Sequence, residues 1–207
     1  LFICIMIEEI LKNYSDPYYK IPSDFYTDAS KYFIKNTFKK NEIIKHSNQP
    51  ETHLHLITKG SSANFIYKEG HDVCIDLCDE GDCTGDYYSL INQYIAQNQN
   101  FQKFDMDGLY NEESPIFVMA LEVLETLTIS KDNLFKIYQI EFGEKVARMI
   151  AEVLYLQKQN QQIELLTLTA EERYKRLLLK QPDILQKTAN KHIASYLGIT
   201  PESFSRI

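Results

Sequence analysis

Residues 190–207 read NKHIASYLGITPESFSRI, and the spacing inside this stretch sets the expectation for the whole chain. Ile193, Ala194 and Leu197 recur at helical intervals, so they can share one buried face of a first helix. Gly198 follows where a left-handed residue would end that helix without a Cβ penalty. Ile199 then fills the angle between two helices, and Thr200-Pro201 reads as an N-cap and first helical residue. Phe204 and Ile207 supply the inward face of the second helix. Ala194 is small where two helices must cross closely, which distinguishes the pattern from an ordinary helical hairpin. The outward residues Glu202, Ser203 and Arg206 are left to face a major groove, where Arg can pair with guanine and Glu can accept from cytosine. The spacing predicts a helix-turn-helix, with a plain helical hairpin and a solvated face as the alternative.

The longer run 167–207, TLTAEERYKRLLLKQPDILQKTANKHIASYLGITPESFSRI, resembles the C-terminal domain of Crp/Fnr-type regulators, especially those of the Bacteroidetes type. The resemblance implies an α+β chain. It would comprise an N-terminal cyclic-nucleotide-binding-type β jelly roll (residues 1–140), a long dimerisation helix (141–166) and a C-terminal winged helix-turn-helix (167–207). It also implies a sequence-specific transcription regulator that binds double-stranded DNA as a homodimer. Glu202 and Arg206 match the family's base-contacting Glu and Arg, whereas Pro201 stands where some members carry another Arg. Thr200, Glu202, Ser203, Arg206 and Lys191 form the candidate DNA-binding set. RNA polymerase and an unidentified small-molecule effector remain open as further partners. The chain opens at Leu1 without methionine and stops within the second helix, so both ends are expected to be trimmed and the wing missing.

Composition agrees with a globular regulator. Among 207 residues, 44% are hydrophobic and 25% charged, enough for a core of ordinary size in one or two domains. A net charge of −7 argues against a protein that coats nucleic acid by bulk attraction. The region from Arg173 onward is nevertheless locally basic: Arg173, Lys175, Arg176, Lys180, Lys187, Lys191 and Arg206 stand against Glu171, Glu172, Asp183 and Glu202. Such asymmetry suits a sensor joined to a DNA-binding domain. The opening LFICIMI is far short of the roughly 20 residues that span a bilayer and lacks a basic flank or cleavage site, so we read it as a helix packing on its own domain. A cytoplasmic chain with no membrane partner is expected.

Cys4, Cys74, Cys78 and Cys83 form no CxxC pair and no regular zinc spacing. Reduced thiols are the default. Some Fnr-type relatives hold an iron-sulfur cluster on cysteines gathered near the N-terminus, where this chain has Cys4 alone. Alternation in DVCIDLC puts Val73, Ile75 and Leu77 on one strand face and Cys74 with Cys78 on the other.

From Phe38 to about Ile129 the pattern is short strands broken by turns, which implies a sandwich or roll. Leu54, Leu56 and residues 61–67 are strand-like, Glu69-Gly70 makes a hairpin turn, and 73–77, 116–121 and 124–129 follow. Helical stretches at 3–11 and 25–33 flank this region, and Ser130 is placed to cap a helix over KDNLFKIY. Between 141 and 166, Val146, Met149, Ile150, Val153, Leu154 and Leu156 form an apolar stripe, resumed by Ile163 and Leu166. We read Val146, Met149, Ile150, Val153 and Leu154 as a dimer seam, since helix-turn-helix proteins commonly read two half-sites with two copies. Thr169 with Glu172 makes a capping box, and Pro182 ends the helix that it opens.

The sensor segment is where relatives hold a cyclic phosphate with a short helix N-terminus, a Gly-Glu pair and an Arg, because a buried phosphate needs oriented donors and a guanidinium. Here the segment reads GDCTGDYYSLINQYIAQNQN. Gly85-Asp86 approximates Gly-Glu, and no Arg occurs before Arg148. Lys59, Lys68 and Lys103 could supply charge without bidentate geometry, while Asp86 adds a negative charge. Cyclic AMP is therefore not expected to bind, and the identity of any other cofactor or effector stays open. Gly85, Asp86, Tyr87, Tyr88 and Ser89 are the candidate effector pocket, with the aromatic pair alternatively core. Residues 95–113, including Asp105, Asp107 and Gly108, resemble an inserted loop that falls short of a calcium site. His53 and His55 alternate on one face, as surface residues or as metal or haem ligands; no metal site is assigned. The chain has no GxSxG elbow, Walker loop, HExxH or dinucleotide fingerprint, so an enzyme is not expected. The remaining alternative is a degenerate sensor or protein-interaction scaffold without ligand control.

Overall fold

The computed structural model describes residues 2–12, 20–91 and 114–207; the expected inserted loop, with Lys103, Asp105, Asp107 and Gly108, lies outside the described residues. The chain divides into two compact units, one of residues Ile34–Lys131 and one of Leu1–Phe33 with Asp132–Ile207.

The first unit is a β-roll. Its strands are β1 (Ile34–Phe38), β2 (Ile43–Lys45), β3 (His53–Lys59), β4 (Ser62–Lys68), β5 (His71–Cys78), β6 (Cys83–Thr84), β7 (Ile116–Ala120) and β8 (Leu124–Ser130). They form two four-stranded sheets in the orders β1-β8-β3-β6 and β2-β7-β4-β5. The antiparallel pairs β1 with β8, β2 with β7, β3 with β6 and β4 with β5 are nested, the first strand with the last and the innermost with each other. This is the connectivity of an eight-stranded jelly roll. The expected turn at Glu69-Gly70 is present, with both residues at positive φ (50° and 85°), as a tight hairpin turn of the primed type requires. Inside the roll, Ile57, Cys78, Ala120 and Leu124 form an apolar cluster against Phe38 and Ile44.

One expectation from alternation fails in β5. Phe65 pairs with Cys74 but Asn64 pairs with Asp76, so Ile75 is an extra residue, a β-bulge. The inserted residue flips the face of everything after it. Cys74 shares a face with Leu77, whereas Cys78 faces the opposite way with Asp76, into the apolar cluster. The four cysteines are free thiols.

The second unit is helical. It contains α1 (Phe2–Lys12) and α2 (Ser23–Ser30); residues 87–91 of the roll are also helical and are labelled α3. Then come α4 (Lys131–Gln139), α5 (Gly143–Thr167), α6 (Ala170–Lys180), α7 (Ile184–Lys187), α8 (Asn190–Tyr196) and α9 (Pro201–Phe204). The apolar N-terminal stretch does form a packed helix: Ile7, Ile10 and Leu11 of α1 and Phe25, Tyr26 and Ala29 of α2 are buried. None of the described helices is long and apolar enough to cross a membrane. The 25-residue α5 ends at Thr167, and the expected capping box starts α6. Glu172 N–H donates to Thr169 Oγ1 (3.3 Å) and Thr169 N–H to Glu172 Oε2 (2.8 Å). The bonds that this carboxylate accepts from the Thr169 backbone N–H and then from the Thr169 hydroxyl hold its pKa below the usual carboxylate range. α6 stops at Lys180, one residue short of the residue before Pro182, where sterics disfavour helix.

Candidate nucleic-acid interface and pocket segment

The turn between α8 and α9 has the geometry that its residues imply. Gly198 adopts φ +70°, its N–H donates to Ser195 O (2.9 Å), and Ile199 N–H donates to Ala194 O (3.0 Å). These two bonds make a Schellman motif, which satisfies the last carbonyls of α8 and turns the chain sharply. Thr200 is the N-cap of α9, its Oγ1 accepting from Ser203 N–H (3.2 Å), with Pro201 in the first turn. Ile193, Ala194 and Leu197 are essentially inaccessible, as the helical spacing requires. Phe204 is buried and meets the Tyr174 ring of α6 edge-on at 5.1 Å, fixing α9 to the helix before the motif. Ile207 differs from expectation. It lies beyond the end of α9 and is 46% exposed, and Phe204 is the buried residue of α9 among the described residues.

Every residue of the candidate DNA-binding set is exposed: Thr200, Glu202, Ser203 and Arg206 around α9, and Lys191 in the first turn of α8. Hydrogen bonds from its own backbone N–H and from Thr200 lower the pKa of Glu202, so it presents an anion at neutral pH. Along α5, Val146 is already buried within the chain, while Met149, Ile150, Val153 and Leu154 are half-covered. Beyond them Tyr155, Leu156, Ile163 and Leu166 are exposed, Leu166 by 78%.

The pocket segment is built around ion pairing that sequence reading missed. Lys45, at the end of β2, is buried with its Nζ 3.0 Å from Asp86 Oδ2, and it also donates to Ile116 O (2.6 Å) and Ser114 O (3.3 Å) at the start of β7. Asp86 Oδ1 accepts from Ser89 N–H (3.1 Å), capping α3. Glu51 is likewise buried. Its Oε1 accepts from the N–H groups of Thr52 (2.9 Å) and His53 (3.0 Å), its Oε2 accepts from Asp86 N–H (3.1 Å), and its own N–H donates to Ser89 Oγ (3.0 Å). Burial pushes the Glu51 carboxyl above the usual range, against the pull of those three N–H donors. Gly85 takes φ +137° beside Glu51, a conformation that a side chain would resist.

Of the five candidate pocket residues, Asp86 and Ser89 are thus interior members of one hydrogen-bonded network with Gly85 beside it. Tyr87 is half-buried and Tyr88 is 39% exposed, so the aromatic pair does not form core. Lys59 and Lys68 are exposed, and Lys59 lies 3.9 Å from Glu125. Neither supplies charge to Asp86; Lys45 does. His53 and His55 do share a face, their ring centroids 6.2 Å apart. His55 is buried, however, and its Nδ1 is 2.8 Å from Thr128 Oγ1. Burial, and secondarily His53, lowers the His55 pKa to about 4. Among the described residues no group of three or more His, Cys, Asp or Glu could hold a metal ion.

No family model and no curated protein matches the chain. Solved structures do. FixK2 from Bradyrhizobium japonicum matches with a TM-score of 0.61 at 18% identity, over 84% of this chain and 81% of that one. CLP, a c-di-GMP-responsive global regulator of Xanthomonas campestris, matches with a TM-score of 0.61 at 13% identity over 89% of each chain. A protein from Eubacterium rectale assigned to the Crp/Fnr family of transcriptional regulators matches with a TM-score of 0.60 at 18% identity, over 94% of this chain and 85% of that one. At these identities what is shared is the fold, and the fold is that of Crp/Fnr-type regulators.

Proposed function

We propose that this chain is a dimeric, sequence-specific DNA-binding transcription regulator of the Crp/Fnr type whose sensor does not take cyclic AMP. The observation that carries the reading is α9. A helix locked inward by Phe204 and capped by Thr200 leaves Glu202 and Ser203 exposed on its surface and Arg206 exposed in the turn that follows it. A helix so placed can enter a major groove, with Arg206 bidentate to guanine, Glu202 accepting from cytosine N4, and Lys191 on a phosphate. Two copies joined along α5 through Met149, Ile150, Val153 and Leu154 would read half-sites about 34 Å apart. The working division is a sensor over 1–140, a dimerisation helix over 141–166 and a DNA-binding module over 167–207. Partners on this reading are double-stranded DNA, a second copy and, where transcription is activated, RNA polymerase.

The sensor's chemistry supports the exclusion of cyclic nucleotides. A cyclic phosphate would need a cation and free donors, but Lys45 is committed to Asp86 and two carbonyls, and the N–H groups of Asp86 and Ser89 are committed to carboxylates. The same closed network favours the second reading, a sensor that holds its shape without an effector.

Selection from a randomised duplex pool, followed by anisotropy titration across salt concentrations, tests the first reading. Enrichment of a two-fold symmetric site, with a log–log salt slope reporting several phosphate contacts, is expected. Failure to retain any duplex at low salt would leave the scaffold reading. Calorimetry against cyclic AMP should give no heat, and stoichiometric binding would overturn our account of the pocket segment.

A further inference from the structure

Met149, Val153, Leu156, Asn160 and Ile163 follow one another along α5 at alternating intervals of four and three, and Thr167 continues the series. Residues so spaced form one seam when two helices wind round each other, and a β-branched residue at the first seam position, a, with Leu at the second, d, favours two strands. Val153 and Leu156 follow that pattern. Val146, the preceding a residue, is buried within its own chain. Further along, the seam is bare: Leu156 is 59% and Ile163 52% exposed. Every residue from Tyr155 to Asn160 is exposed, so more than a full turn of this 25-residue helix is covered on no side by the described residues. An apolar stripe on such a helix is stabilised by packing against a partner.

Asn160 interrupts the stripe. It stands at an a position between Leu156 and Ile163, in the part of the helix that its own chain leaves open. In an antiparallel pair a positions face d positions, so the Asn160 amide would be buried against Met149, Leu156 or Ile163 with nothing to bond. In a parallel, in-register pair each a residue faces its own copy, and one amide N–H donates to the other amide oxygen. The flanking residues agree with that orientation. The residue before each a position then meets the residue five further on in the other copy: Lys145 meets Ile150, Glu152 meets Gln157 and Gln159 meets Glu164, and none of these pairs opposes like charges.

Building on the α5 dimer proposed above, we infer that a second copy of this chain covers the seam as a parallel two-stranded coiled coil whose register is set by Asn160 pairing with Asn160 of the partner subunit. The amide layer costs stability relative to an apolar one, and in return it excludes slipped and antiparallel pairings, each of which strands two buried amides. Parallel pairing also brings both helix-turn-helix modules to the same end of the seam, as two adjacent half-sites require. The dimer is therefore held below its attainable strength by one residue that contacts neither DNA nor effector.

Cross-linking of the full chain tests orientation and register. Leu156→Cys, Asn160→Cys and Lys158→Cys are oxidised mildly beside the wild type, whose own four free thiols set the background. In a parallel, in-register pair Leu156→Cys and Asn160→Cys should each form a disulfide with its own copy, because seam residues face each other within the roughly 4.4–6.8 Å between Cα atoms that a disulfide spans. Lys158→Cys, on the outer side of the helix, should stay at background. An antiparallel pair could bring at most one of the two seam positions onto its own copy, so cross-linking at one alone would overturn the inference, as would equal cross-linking at Lys158→Cys. Sedimentation equilibrium supplies the second readout: Asn160→Val should tighten the dimer about tenfold or more, and an unchanged or weaker dimer would overturn the role given to Asn160. A wild-type dimer that cross-links at neither seam position would sink this inference while leaving the dimer reading intact, whereas a wild-type monomer would sink both.

Discussion

Replacing Lys45 with methionine removes one ammonium group from the centre of the pocket network while keeping an unbranched stem of similar length. The Lys45 and Asp86 side chains are 4% and 0% exposed, so the carboxylate left behind has no water to turn to. Its remaining donor is Ser89 N–H at 3.1 Å, and the carbonyls of Ser114 and Ile116 lose their shared donor as well. Breaking a buried ion pair from one side costs about 3–5 kcal/mol, because the surviving charge is stranded. That is a large fraction of the roughly 5–15 kcal/mol that holds a domain together. Adding Asp86→Asn to Lys45→Met removes the stranded charge but keeps an oxygen to cap α3, so the double variant should recover about 2 kcal/mol or more of the loss. Urea unfolding of the four proteins in the double-mutant cycle measures this, with amide exchange in β2 and β7 to localise it. A Lys45→Met loss below about 1 kcal/mol, or a double variant no better than the single one, would refute the argument that the pair neutralises Asp86.

Arg206→Ala should cost about 1–3 kcal/mol on a selected site and much less on random duplex; equal losses would reduce Arg206 to a phosphate contact. Ile150→Glu should place an unpaired charge in the proposed seam and shift the protein to monomer in sedimentation experiments, and a wild-type chain that is monomeric at micromolar concentration would remove the premise. For pH, the His55 imidazole stays neutral in the fold while the unfolded chain takes up a proton below pH 6.5. Its contribution is complete above pH 6.5 and is lost as pH falls towards about 4, on the order of 3 kcal/mol at about 1.36 kcal/mol per pH unit. His55→Gln should flatten the stability profile across that window; an unchanged slope would assign the acid sensitivity to other groups.

What could be read in advance follows the range of the interactions. The helix-turn-helix was legible because its determinants are local: Gly198 reaches φ +70° and Thr200 caps α9 within a span of a few residues. The nested strand pairing was not, since β1 and β8 are partners across most of a hundred residues and nothing in either strand names the other. Alternation in β5 misled at one point because a bulge costs a single unpaired residue and leaves no mark in composition. The pocket segment is the more instructive case. The absence of Arg before Arg148 points to a segment short of positive charge, with Asp86 as an additional negative one. In the fold, positions 45, 51, 86, 89 and 114 converge, and Lys45 neutralises Asp86 from a three-residue strand whose sequence, IIK, gives no sign of a buried charge. The signal available was indirect. A carboxylate placed to cap a short helix inside a roll demands a counter-ion, and with no arginine before Arg148 that ion had to be a lysine. Charge balance in the interior therefore constrains the assignment more tightly than the family motif, because the motif can drift while an unpaired buried carboxylate cannot persist at neutral pH.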